Sequence, residues 1–283
     1  MAELSLLCVH AHPDDEALWT GGVLARYADA GARTAVVTCT WAAGTRRAAE
    51  LERSLEILGA GRPRLLGYAE ARVPTSAPTP DASSPDSADS TGTPSSPEAA
   101  GIAVPPLRRF LDVPLEESVG RVVEHIREFR PDVVITYDGY GGYGHEDHLH
   151  THRVTLAAVE AAGYDQLYQG CGEPWRPRAV YLATLPRTLV RAVWRDVFGV
   201  EPEPGQTLPG VPDEQVTTTV DVRPWADRKW AAMMAHESEV QRGGSMTMFA
   251  ALPPSTRDRL LATEWYIRRD VTSPTRDTGG IFA

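Results

Sequence analysis

The chain has 283 residues, 23% of them charged, and a formal net charge of −10 at pH 7. This length can bury one large core, and the acidic balance excludes a general nucleic-acid binder, which needs basic patches. No apolar run is long enough to span a bilayer, and no secretory signal is visible before the first apolar run. Cys8 and Cys39 lie in apolar runs, which favours reduced thiols over a disulfide framework. We therefore expect a cytoplasmic protein without a membrane or nucleic-acid partner.

The first apolar run, residues 4–9, is short and partly β-branched, and it predicts a buried strand. Pro13 ends this strand, because proline has no N–H to give to a ladder. Apolar side chains at helical spacing then predict a helix through residues 17–27. The turn between strand and helix carries one imidazole and three carboxylates: His12, Asp14, Asp15 and Glu16. A bound cation would explain so many carboxylates in one place, so we predict a divalent-metal site here.

Strands and helices then alternate along the chain. Residues 34–40 and 64–68 have the composition of strands, and residues 45–58 between them predict a helix that stops at Gly59. This alternation implies right-handed crossovers between parallel strands. We therefore predict an α/β, Rossmann-like fold with a largely parallel sheet flanked by helices and a more irregular C-terminal part.

The composition changes between about residues 73 and 106, which are mostly Pro, Ser, Thr, Ala and Asp. Such a segment cannot bury enough apolar surface to offset the entropy of ordering it. We predict a disordered surface loop that interrupts a single domain covering residues 1–283.

Regular elements resume after this segment. An amphipathic helix is predicted over 115–129, a buried strand over 132–137 and a helix over about 147–162. The last third is less regular, with predicted strands at 180–183 and 216–222 and helices at 188–198 and 224–241. Residues 243–248 are expected to form a loop before a short helical tail.

A Gly-rich loop, residues 138–148, follows the fourth predicted strand. Because ligands of open α/β sheets bind at the carboxyl ends of strands, this loop should meet the turn at residues 12–16. A catalytic zinc usually has three protein ligands and one open position. His12, Asp15 and His148 are the predicted ligands of one zinc ion per chain; His150 and His152 are alternatives for the third position, since helix-borne histidines also bind metal.

The remaining polar side chains of the two loops predict amide hydrolysis. Asp14 can accept a proton from water, and His145 can donate one to a leaving nitrogen or stabilise an oxyanion as a cation, with Asp147 orienting that imidazole. A nucleotide-binding domain is a competing class, but it would show Gly-x-Gly-x-x-Gly after the first strand. A metal-binding protein without catalysis is a third class, and it would lack Asp14 or His145.

Residues 11–16 (AHPDDE) and 145–148 (HEDH) together resemble the two motifs of the PIG-L/LmbE-like deacetylase family, whose members are zinc amidohydrolases. The resemblance covers most of the chain. It implies that His12, Asp15 and His148 hold the zinc, that Asp14 is the general base and that His145 is the second active-site histidine. The implied reaction removes the acetyl group of an N-acetylglucosaminyl conjugate, a small-molecule substrate.

Within the family, residues 141–148 are similar to the branch that deacetylates N-acetylglucosaminyl-inositol in mycothiol biosynthesis. This match implies that Tyr143 assists the oxyanion and that Arg47 contacts the substrate. Two segments depart from the pattern: residues 71–75 lack the expected sugar-binding aspartate, and residues 41–44 replace a Gly-Glu-rich turn. The alternatives are therefore an amidase of mycothiol S-conjugates and a deacetylase of another N-acyl sugar in secondary metabolism.

Overall fold

Seven strands form one mixed sheet in the order β3-β2-β1-β4-β5-β7-β6. The structure is a computed structural model that describes residues 4–71, 108–203 and 205–272, so the loop predicted at 73–106 lies outside the described residues. The strands are β1 Ser5–His10, β2 Arg33–Thr40, β3 Arg64–Tyr68, β4 Val133–Tyr137, β5 Ala179–Thr184, β6 Thr218–Asp221 and β7 Thr263–Asp270. The five strands β1 to β5 pair in parallel, which confirms the predicted α/β class.

Ten helices in the described residues connect and cover these strands. They are α1 Asp15–Asp29, α2 Arg46–Leu58, α3 Leu115–Phe129, the one-turn α4 Gly141–Gly144, α5 Glu146–Ala162, α6 Arg187–Phe198, α7 Ala226–Met234, α8 Glu237–Arg242, α9 Ser245–Ala250 and α10 Pro254–Ala262. None of them has both the length and the apolar character needed to cross a membrane.

The central strands are buried on both faces, which explains why their sequences are continuous apolar runs. In β1, Leu7 and Val9 face one core, which is closed by α3 and α5. Leu6 and Cys8 face the other core, which is closed by α1, α2 and α7. The sheet is therefore the middle of three layers, and its loops emerge at its edges.

The strand order of the sheet has a switch point between β1 and β4, where successive strands change from one side of β1 to the other. β2 and β3 lie on one side of β1, whereas β4 and β5 lie on its other side. The carboxyl ends of β1 and β4 therefore form the crevice where α/β sheets place their ligands.

The C-terminal third differs from its prediction in two places. The helix expected over 224–241 is broken at His236 into α7 and α8, and α9 occupies much of the expected loop. The helical tail exists as α10, but it runs directly into β7, which pairs antiparallel with both β5 and β6. No glycine or proline separates α10 from β7, so the sequence carried no signal for the change.

Candidate functional site

The two polar loops meet at the carboxyl ends of β1 and β4, as predicted. The turn before α1 brings His12, Asp14 and Asp15, and all three are buried. His145, between α4 and α5, and His148, in the first turn of α5, reach the same point, with ring centroids 4.7 Å and 5.2 Å from that of His12.

The side chains of His12, Asp15 and His148 form a triangle of donor atoms. His12 Nδ1 lies 3.3 Å from His148 Nε2 and 3.3 Å from Asp15 Oδ2, and His148 Nε2 lies 3.4 Å from Asp15 Oδ1. Ligand atoms about 2.0–2.2 Å from a tetrahedral zinc are about 3.4 Å apart. Asp15 takes part with both carboxylate oxygens, Oδ2 toward His12 and Oδ1 toward His148. Each of the three distances is close to the spacing of ligand atoms around one metal ion, and the nitrogen and oxygen donors suit a divalent metal.

His145 belongs to a wider histidine group. Donor atoms of His12, His145 and His148 all lie within 4.8 Å of one another, so these three could also hold a metal ion. The distances among His12, Asp15 and His148 are shorter, and His145 lies beside this donor triangle. Of the two alternative ligands, His152 Nδ1 bonds the Tyr137 carbonyl at 2.8 Å and His150 packs edge-on against Phe110.

Hydrogen bonds fix which nitrogen of each histidine faces the donor triangle. His148 Nδ1 lies 3.0 Å from the Gly141 carbonyl, which can only accept, so Nε2 is the free nitrogen. His12 Nε2 lies 3.0 Å from Asp147 Oδ2, which leaves Nδ1 free. Such outer contacts orient metal-binding imidazoles and raise their basicity.

This contact differs from the prediction for Asp147. The sequence paired the Asp147 carboxylate with His145, but its Oδ2 is 4.0 Å from His145 Nδ1 and only 3.0 Å from His12. Asp147 Oδ2 also accepts the Ala71 N–H at 2.9 Å, so the carboxylate is fixed between a loop and His12. The structure places it on the far side of His12 from the donor triangle.

Tyr137, the last residue of β4, was not predicted to take part in the site. Its hydroxyl donates to Asp15 Oδ2 at 2.7 Å and accepts the Ala11 N–H at 2.8 Å, while its ring stacks on His148 at 4.1 Å. These contacts hold two of the three donor residues, and Asp15 Oδ1, which Tyr137 does not contact, lies 3.4 Å from His148 Nε2. A polar aromatic residue at the carboxyl end of a central strand was the available signal.

Asp14 has a strained backbone and a perturbed carboxylate. Its φ is 127°, a region that non-glycine residues rarely adopt. Burial and the charge of Asp15 raise the pKa of Asp14 to about 8. A carboxylate with a pKa near neutrality is suited to general base catalysis.

His145 is a neutral hydrogen-bond donor in this arrangement. Its Nδ1 accepts the Asp147 N–H at 3.2 Å, so the ring proton is on Nε2. Burial and the neighbouring His12 and His148 lower the pKa of His145 to about 4. The neutral ring can donate a hydrogen bond from Nε2 to an oxyanion, whereas proton transfer to a leaving nitrogen and stabilisation as a cation would each require the imidazolium. Tyr143, with an exposed fraction of 44%, lies beside His145 at 6.2 Å between ring centroids.

A cleft of about 140 Å³ opens over these groups. Its lining residues are His12, Asp14, Asp15, Glu70, Tyr143, His145, Glu239 and Arg242. Two of them are charged residues that the sequence analysis did not single out. Glu70 follows β3, one position before the segment that lacks the expected aspartate, and it brings a carboxylate to the cleft. Arg242 on α8 brings a guanidinium to the cleft.

Arg47 is placed differently from its prediction as a substrate contact. It is 4% exposed, and its guanidinium pairs with Glu239 and the Pro13 carbonyl and lies 3.5 Å from Asp14 Oδ2. It also packs over Trp41, whose indole N–H donates to Glu70 at 2.6 Å. Arg47 is thus committed to protein groups, and Trp41 fills part of the turn that departs from the family pattern.

Comparisons with known proteins identify the family of this chain. A family model described as GlcNAc-PI de-N-acetylase (PIG-L) matches residues 7–159. A 1D-myo-inositol 2-acetamido-2-deoxy-alpha-D-glucopyranoside deacetylase of Rhodococcus jostii is 38% identical over 306 aligned positions, covering 99% of this chain and 96% of its own. A protein of the same description from Mycobacteroides abscessus is 34% identical, covering 89% of each chain.

Two solved structures share the fold. A conserved protein from Thermus thermophilus superimposes with a TM-score of 0.57 at 21% identity, covering 96% of this chain and 97% of its own. The N,N'-diacetylchitobiose deacetylase of Pyrococcus horikoshii also gives a TM-score of 0.57, at 16% identity, covering 94% of this chain and 83% of its own. With the family match over more than half of its length and relatives above 30% identity, this chain belongs to the PIG-L family of de-N-acetylases.

Proposed function

We propose that this protein is a metal-dependent N-deacetylase of a 2-acetamido-2-deoxy-glucosyl inositol, the substrate class named for its relatives. Full-length similarity at 38% identity supports this substrate class, and the donor triangle of His12, Asp15 and His148 carries the chemical part of the proposal. The reaction consumes water and releases acetate and a free amine. By the resemblance of residues 141–148, this is a deacetylation step of mycothiol biosynthesis.

His12, Asp15 and His148 would hold the metal, which we propose to be one zinc ion per chain. When bound, it supplies Lewis-acid polarisation of the acetamide carbonyl and lowers the pKa of water. Asp147, Tyr137 and the Gly141 carbonyl keep the donor atoms aimed at one point, so that the site is preorganised.

The chain's own residues would move the protons. Asp14, whose carboxylate lines the cleft beside the donor triangle, accepts the proton of the attacking water. His145, whose neutral ring carries its proton on Nε2, donates a hydrogen bond to the developing oxyanion. The protonated Asp14 then returns the proton that it took from water to the leaving nitrogen. Tyr143 lies over the same opening, where its hydroxyl can add a further donor.

The cleft offers charged groups to a sugar and its polyol partner. Glu70 accepts hydrogen bonds from hydroxyls, and Arg242, 43% exposed at its side chain, donates to them. Both residues lie outside the donor triangle, so they are suited to binding the substrate without altering the metal.

A panel of N-acetylglucosaminyl conjugates tests this proposal. Purified protein would be reconstituted with one equivalent of zinc and incubated with each of three substrates. These are the N-acetylglucosaminyl-inositol conjugate, an N-acetylglucosaminyl glycoside that lacks inositol, and a mycothiol S-conjugate, which is a thioether. Amine and acetate should appear together and fastest from the inositol conjugate. Faster cleavage of the thioether conjugate would instead assign an S-conjugate amidase, and no release from any member would overturn the proposal.

A further inference from the structure

Glu16 is buried directly beneath Asp14 and contacts its backbone. Glu16 Oε2 accepts the Asp14 N–H at 2.9 Å, and the whole residue is inaccessible to solvent. This N–H belongs to the residue with φ of 127°, a conformation that persists only when surrounding contacts hold it. Nothing in the proposed deacetylation scheme uses Glu16.

His236 supplies the partner of this buried carboxylate. His236 Nε2 lies 2.7 Å from Glu16 Oε1, and Ser54 donates to the same oxygen at 2.5 Å. Burial disfavours a charge on His236, but the Glu16 carboxylate outweighs this effect and raises the pKa of His236. A buried carboxylate needs such a partner, since an unpaired charge is costly in the interior.

The residues after His236 approach the Asp14 side chain by a second route. His236 precedes α8, and Glu239 on α8 pairs with Arg47, whose guanidinium lies 3.5 Å from Asp14 Oδ2. His236 and α8 are therefore linked to Asp14 by two indirect paths, at its N–H through Glu16 and at its carboxylate through Arg47.

We propose that Glu16 and His236 are positioning residues that hold the Asp14 backbone in its positive-φ conformation and thereby aim its carboxylate into the cleft. The inference rests on the proposed function, because it assumes that Asp14 is the base. It assigns a task to the last residue of the AHPDDE motif and to a histidine more than 200 positions away. Neither side chain touches the substrate in this scheme.

Truncation of His236 tests the proposal. His236→Ala leaves Glu16 without its main partner, so Asp14 should leave its conformation, and a misplacement of about 1 Å can cost about 100-fold in rate. We expect kcat to fall about 100-fold with KM little changed and with zinc still bound at one equivalent. His236→Gln keeps an N–H donor toward Glu16 and should recover part of kcat. If the alanine variant does not fold, the glutamine variant and Glu16→Gln provide the comparison.

The Lys229–Glu264 pair offers a matched control. It is equally buried, with Lys229 Nζ 2.7 Å from Glu264 Oε1, and it contacts α1 at Gly22 and Val23, one to two turns beyond the site. Lys229→Ala should lower thermal stability as His236→Ala does, but leave kcat within twofold of the wild type. Equal losses of kcat in both variants would reduce His236 to a structural role and overturn the proposal.

A crystal structure of His236→Ala decides the question without an activity measurement. A changed Asp14 φ and a displaced carboxylate would support the positioning role, whereas an unchanged Asp14 would refute it. A failure of the wild-type enzyme on every conjugate would overturn the proposed function, but this structural result would still stand or fall separately.

Discussion

Replacing Asp147 separates two accounts of the site. If its carboxylate serves His12, as the 3.0 Å contact indicates, Asp147→Ala should weaken metal binding. If it serves His145, as the spacing of the second motif suggested, the variant should bind metal normally and lose only turnover. The two accounts thus predict different results in one binding experiment.

The size of the effect follows from the two hydrogen bonds that the Asp147 carboxylate accepts. Asp147 is inaccessible to solvent, and its Oδ2 accepts from both His12 and the Ala71 N–H, so truncation leaves the buried His12 donor and the partly buried Ala71 N–H without this acceptor. Loss of an outer-shell carboxylate typically costs about 10–100-fold in metal affinity, or about 1.4–2.7 kcal/mol. Asp147→Asn should lose less, because the amide oxygen still accepts from His12 although the charge is gone.

Competition with a chromophoric zinc chelator measures this difference directly. His145→Ala is the control, since it removes an imidazole beside the metal position but no member of the proposed donor triangle, and its zinc affinity should stay within about threefold of the wild type. If Asp147→Ala binds zinc as tightly as the wild type, support of His12 is not the role of the Asp147 carboxylate. A collapse of zinc affinity in His145→Ala would instead favour the wider histidine group as the ligand set.

Three further predictions concern other parts of the chain. Asp14→Asn should keep one equivalent of zinc by elemental analysis while kcat falls about 10²–10⁴-fold, as expected for loss of a general base; a loss below tenfold would contradict that assignment. Glu70→Gln should raise KM about tenfold or more in initial-rate measurements, because it loses a charge-assisted hydrogen bond to the substrate at the cleft, and an unchanged KM would place the sugar elsewhere. Gly22→Ala should lower the free energy of unfolding by about 1–3 kcal/mol in urea titrations, because its Cβ would lie 2.5 Å from Val222. Gly139→Ala, whose Cβ would find only His152 at 3.8 Å, is its control and should change stability by less than about 0.5 kcal/mol.

The sheet and the meeting of the two motifs were predictable from local pattern. The apolar runs at β1, β2 and β4 could only be strands buried on both faces, and parallel strands bring their carboxyl ends to one edge. His12 and His148 could therefore be brought together from sequence although 136 positions separate them.

The contacts that set each residue's task were not predictable in the same way. The Asp147 carboxylate is close to both His145 and His12, and only the orientation of its side chain shows that His12 is its hydrogen-bond partner. Arg47 has the sequence context of an exposed residue at the start of α2, but α8, some 190 positions later, covers it with Glu239. Such pairings depend on how distant helices pack, and no local periodicity encodes them.

The C-terminal errors have the same origin. The boundary at Thr263 lacks any turn residue, and the prediction ended in a short helical tail, without the strand that the structure has as β7. β7 is specified by its neighbours, since it closes the gap between β5 and β6 as an antiparallel strand. Strand preference of this kind reflects tertiary context more than intrinsic propensity.

The central claim is that one metal ion at His12, Asp15 and His148 enables removal of the N-acetyl group. Protein stripped with a chelator and titrated with zinc, while acetate release from the glucosaminyl-inositol substrate is followed, tests it most directly. Activity should be absent at first, rise linearly and stop rising at one equivalent of zinc per chain. Full activity in the stripped protein, or an unaltered titration curve in His148→Ala, would contradict the account.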